Sequence, residues 1–135
     1  MKKQTRSEAR ERVFSVIFQI GENFDDCEFI IDNMLEEYPE SADNIRYIRQ
    51  AVSGVLENKD EIKEIIENVI SGKRAYDRLS KAVRVILSLA VYEMKYIDDV
   101  PEKVAVNEAV ELAKKYAEEE APAFVNGVLS GVISR

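Results

Sequence analysis

Apolar residues return every three or four positions along almost the whole chain. Between Arg6 and Ile20 they fall at Ala9, Val13, Phe14, Val16, Ile17, Phe18 and Ile20. At about 100° per residue these positions cover more than half a helical circumference, so the spacing predicts a deeply buried helix. Gly21 is its expected stop. Cys27, Ile30, Ile31, Met34, Leu35 and Tyr38 predict a second helix, ended by Pro39. A third begins after Ser41 or Asp43 and turns Ile45, Ile48, Val52, Val55 and Leu56 inward. Asn58 or Asp60 caps a fourth, which carries Ile62, Ile65, Ile66, Val69 and Ile70 and ends at Gly72.

The stretch "VRVILSLAVYEM", residues 83–94, is apolar almost all round, as a central helix wrapped by others would be. Pro101 opens another helix at its first position, with Val104, Val106, Ala109, Val110, Ala113 and Tyr116 on one face. Pro122 opens the last, with Phe124, Val125, Val128, Leu129, Val132 and Ile133. The pattern predicts an all-α fold, a compact bundle of about seven helices. It forms one domain, in two packed sub-bundles, 1–72 and 73–135, joined near residues 71–79. Gly127 and Gly131, four apart, are placed to let another helix approach closely.

Composition narrows the chemistry. The 135 residues include one cysteine, Cys27, and no histidine. The commonest general base and metal ligand is absent, an intramolecular disulfide is impossible, and the usual zinc site cannot be built. No P-loop or nucleophile elbow is present, so the expectation is a protein that is not an enzyme and needs no cofactor or metal. No apolar run approaches the roughly 20 residues that span a bilayer, and no signal peptide is visible. A cytoplasmic protein without a membrane role is expected.

Charge changes the picture most. The chain is acidic, with a formal net charge of −7. Yet residues 1–20 carry five bases against two acids, and "KRAYDRLSKAVR", residues 73–84, five against one. Residues 21–43 carry nine acids and no base. Two basic islands in an acidic molecule would attract phosphate if they lie side by side in the fold. The alternative is a solvated helix face, with Glu8 and Glu11 as i,i+4 partners. Arg6 and Arg10 share a face that continues into the stripe through Val13, Phe14 and Ile17. Burying unpaired guanidinium groups is costly, so both arginines are expected to project beyond the bundle's end and present donor forks to phosphates. Phe14, Phe18 and Tyr76 lie near the islands, Phe14 as a core residue. Aromatics beside cations suit single-stranded RNA.

"DVPEKVAVNEAVELAKKY" (99–116) and "FVNGVL" (124–129) resemble the signature of the NusB family of bacterial transcription antitermination factors. "RSEARERVFSVIFQ" (6–19) resembles that family's opening, and "RVILSLAVYEM" (84–94) its central helix. The resemblance implies an all-helical fold of two sub-bundles sharing a long first helix. It implies a non-enzymatic factor that pairs with NusE, a protein of the small ribosomal subunit. The pair would bind the boxA sequence of nascent RNA as single strand, helping the RNA polymerase antitermination complex read through terminators, notably on ribosomal RNA. Carried over by position, the RNA-binding residues are Lys3, Arg6, Arg10, Phe18, Gln19, Arg74, Arg78, Phe124 and Asn126. The chain departs from the family pattern at Ser7 and Glu8, in an otherwise basic run, at Phe18, often tyrosine, at Val83, often aspartate, and at Ser88, usually a base. A homodimer burying the RNA surface stays open. So does a helical protein–protein interaction module without specific RNA binding.

Overall fold

A computed structural model describes residues 5–20 and 27–134; Lys3 and the expected stop at Gly21 lie outside the described residues. Among the described residues there are eight helices and no strand: α1 (Arg6–Ile20), α2 (Cys27–Glu37), α3 (Ala42–Glu57), α4 (Lys59–Ile70), α5 (Lys73–Asp77), α6 (Lys81–Tyr96), α7 (Glu102–Tyr116) and α8 (Ala121–Ile133). The addition to the expected seven is α5. A five-residue helix is too short to show a period, and it is bounded by backbone geometry instead. Ser71 takes the left-handed region at φ 72° and Gly72 follows at φ 109°. The Gly72 N–H donates to the Glu67 carbonyl at 2.8 Å, which ends α4 and starts the chain on a new direction.

The helices divide into two units, residues 1–56 and 57–135. The expected boundary near residue 72 differs, because α4 packs on α6 and α8 within the second unit. In that unit α6 is the central element, as its sequence suggests. Val83, Val85, Ile86, Leu87, Leu89, Ala90, Val91 and Tyr92 are all buried, against α4, α7 and α8. Its start is capped by Ser80, whose hydroxyl accepts from the Val83 N–H at 3.3 Å. Close packing of α8 on α4 depends on Gly131, where a Cβ would stand 2.7 Å from Val69 Cγ1. Gly127, expected to serve the same purpose, has no described residue of another helix within 4 Å of a Cβ built on it.

In the first unit, α1 buries Ala9, Val13, Phe14, Val16, Ile17 and Ile20, the predicted stripe, and leaves Phe18 and Gln19 exposed. Helix α2 departs from its pattern. Only Ile31 is fully buried, while Cys27, Ile30, Met34 and Leu35 are half-buried and Phe29 stands 69% exposed.

Candidate nucleic-acid interface

The start of α1 is built by Thr5. Its hydroxyl accepts from the Glu8 N–H at 3.1 Å and donates to the Glu8 carboxylate at 3.2 Å. Glu8, an acid within a basic run, is therefore part of the helix cap. Capping sets the orientation of Arg6 one residue later. Arg6 Nη2 donates to Asp43 at 2.8 Å, and its Nε donates to Asn44 Oδ1 at 3.1 Å. Asn44 is buried at the start of α3, where its own N–H donates to the Ser41 hydroxyl at 3.2 Å. The Arg6 guanidinium carbon also lies 4.4 Å from the ring centroid of Tyr47, a buried residue one turn further along α3.

The same ring faces Arg10, whose guanidinium carbon lies 5.9 Å from its centroid. Arg10 is only 6% exposed. The expectation that Arg6 and Arg10 both project past the bundle is corrected here: Arg6 is half-exposed and tied to α3, and Arg10 is buried. The cost argument fails because the arginines are not unpaired. The negative face of the tyrosine ring supplies attraction at both, and it is strongest where water is excluded. Arg12 makes the corresponding contact with Tyr38, at 4.0 Å. Asp43, Asn44 and Tyr47 are missed by sequence reasoning, because their link to Arg6 spans 37 or more residues and leaves no local period. Both carboxylate oxygens of Glu40 are buried, near Asn44 and Arg12. Burial pushes the Glu40 carboxyl above the usual range, against the opposing pull of Asn44 and Arg12.

In the second unit Arg74 and Arg78 are exposed, on α5 and its C-terminal cap. Between them Tyr76 is half-buried, with Lys63 of α4 5.1 Å from its ring centroid. Burial raises the Tyr76 hydroxyl pKa first, while Ser88 and Arg84 of α6 pull it down. Lys63 thus joins the second basic island from α4, and Arg84, already part of it, reaches the same ring from α6. Ser88, where a base was expected, turns its hydroxyl to the Arg84 carbonyl at 2.8 Å. On α8, Phe124 is 40% exposed and Asn126 is exposed two residues on. Both motif residues face solvent while Val125, Val128 and Leu129 enter the core.

Among the described residues no group of three or more His, Cys, Asp and Glu could hold a metal ion, and no helix is long and apolar enough to cross a membrane. Within an acidic chain, the described surface includes cationic and aromatic features: a tethered arginine on α1, a basic helix at α5, and exposed Phe18 and Phe124. Fold and surface together define an all-helical protein class with features suited to nucleic acid. The sequence profile of the NusB family matches residues 7–134. The transcription antitermination protein NusB of Listeria innocua is 42% identical over 127 residues, 94% of this chain and 94% of the relative. Among solved structures, T. maritima NusB is similar at 32% identity with a TM-score of 0.89, covering 99% of this chain and 94% of that one. A chain of the complex of antitermination factors NusB and NusE with dsRNA is similar at 29% identity and a TM-score of 0.84, covering 96% of each. This chain belongs to the NusB family of transcription antitermination factors.

Proposed function

We propose that this protein pairs with NusE and, as that pair, binds the boxA sequence of nascent ribosomal RNA, so that RNA polymerase reads through terminators. The observation that carries this reading is the likeness of 96% of the chain to a chain in the NusB–NusE complex with dsRNA. The protein acts by binding in the cytoplasm, without catalysis. In the first unit Arg6, Phe18 and Gln19 are the assigned RNA contacts, and Lys3 is assigned with them by its place in the sequence. Arg10 belongs to this site as a positioning residue, holding Tyr47 beneath Arg6. In the second unit the assignments are Arg74, Arg78, Phe124 and Asn126. The cations neutralise phosphate, the rings stack on unpaired bases, and the Asn126 amide offers both a donor and an acceptor to a base edge.

The test is a titration of labelled boxA RNA with the NusE-bound protein, against a scrambled oligonucleotide, at two salt concentrations. Four or five phosphate contacts on a single strand give a slope of log K against log salt near roughly −3. Arg6→Ala and Arg74→Ala weaken binding while helicity and NusE pairing persist. Equal affinity for boxA and the scrambled strand refutes the reading.

A further inference from the structure

A glycine inside a helix costs stability, so a helical glycine needs a reason. At Gly131 the reason is internal, since a Cβ there would collide with Val69 at 2.7 Å. At Gly127, among the described residues, an added Cβ would meet nothing within 4 Å beyond its chain neighbours and the adjoining backbone of its own helix, and φ is not in the left-handed region. Neither packing nor backbone conformation calls for glycine at that position. Gly127 lies one turn after Phe124, on the same side of α8. Helical side chains lean toward the N-terminus, so the patch that a residue covers lies over the preceding turn. A side chain at position 127 would therefore lie over the turn that carries the exposed Phe124.

We propose that Gly127 is a positioning residue for RNA: its missing side chain keeps the flank of Phe124 open, so that an unpaired RNA base stacks on that ring with its ribose against the bare backbone of α8. The inference rests on the proposed RNA-binding function and refines its Phe124 contact. A base, not a phosphate, is the occupant, because α8 carries no ionisable side chain from Ala121 to Ile133. The hydroxyl of Ser130 on this helix is turned back onto the Asn126 carbonyl at 2.8 Å, so it does not compete for the ligand. An uncharged helix bearing an exposed ring offers stacking and van der Waals contact, which every base can use.

The experiment compares wild type, Gly127→Ala, Gly127→Leu and Phe124→Ala in the NusE-bound protein, titrated with labelled boxA RNA. NusE pairing and thermal melting are measured in parallel. Gly127→Ala melts at or above wild type, since alanine is the better helix former. Gly127→Leu pairs normally with NusE but binds RNA more weakly by about fivefold or more, the loss of one stacking contact, with Gly127→Ala between. Wild-type RNA affinity in Gly127→Leu overturns the inference, and the wider RNA reading survives if Phe124→Ala still weakens binding. Loss of NusE pairing in Gly127→Leu, with RNA binding by the unpaired chain unchanged, makes the occupant a protein and also overturns it. A wild type that does not prefer boxA over a scrambled strand overturns both.

Discussion

The guanidinium carbon of Arg6 sits over Tyr47, 4.4 Å from the ring centroid, and the same ring meets Arg10 at 5.9 Å. One buried aromatic on α3 thereby organises two cations of α1. Replacing it should separate the ring from its volume. Tyr47→Phe keeps the ring, whereas Tyr47→Leu keeps only apolar bulk. Urea unfolding is expected to find the leucine variant about 1 kcal/mol less stable than the phenylalanine variant. RNA affinity should fall in the leucine variant alone, because Arg6 loses its support. Equal stability in the two variants would remove the cation–π account.

Asp43 is the anion that holds Arg6, and its side chain is 71% exposed. It also meets Arg46 at 3.3 Å. Exposed ion pairs contribute little to stability, so a phosphate can replace this carboxylate at small cost. The carboxylate nevertheless competes with RNA and repels it. Asp43→Asn should tighten boxA binding about threefold at low salt, through the loss of one nearby negative charge. The gain should vanish at high salt, where screening removes the repulsion. Weaker binding in this variant would mean that Asp43 is needed to aim Arg6.

At Gly131 the methyl group of an alanine would push on Val69, a β-branched side chain with little freedom to turn aside. Overpacking costs about 1–3 kcal/mol, partly offset by the better helix propensity of alanine. Gly131→Ala is thus expected to melt below wild type, and Val69→Ala in the same chain to restore part of the loss. Thermal melts of the two single variants and the double variant measure the coupling directly. Additive effects would show that the close approach of α4 and α8 does not depend on this pair.

Glu40 carries a pH dependence. Burial raises its pKa in the folded state, so the ionised form is penalised there relative to the unfolded chain. Its contribution is most favourable below the ordinary glutamate range. It declines as pH climbs from that range to the raised folded value, and is constant above. Glu40→Gln removes the penalty. The variant should be more stable than wild type at pH 7, and the two should converge as pH falls below the ordinary glutamate range. Melting curves across that interval decide it. A wild type that gains stability relative to the variant as pH rises would show that Arg12 outweighs burial.

Helix existence and burial of the main stripes could be read from residue order, because both follow from a period of 3.6 within a few turns. Val13, Ile17 and Ile20 on α1, and nearly all of α6, are buried as their spacing requires. Phe124, spaced with Val125, Val128 and Leu129 as part of the stripe of α8, is instead 40% exposed while those three enter the core. Local period failed where a residue's surroundings come from a distant segment. The apolar spacing of the second helix promised burial, yet of its positions Ile31 alone is fully buried and Tyr38 is exposed, because a stripe marks what a helix can bury and not what reaches it. Arg10 looked too costly to bury until Tyr47, 37 positions later, was brought beside it. Asp43 and Asn44 took hold of Arg6 in the same way. Backbone periodicity is a property of neighbours in sequence, but the free energy of a charge depends on whatever folding brings within a few ångströms of it.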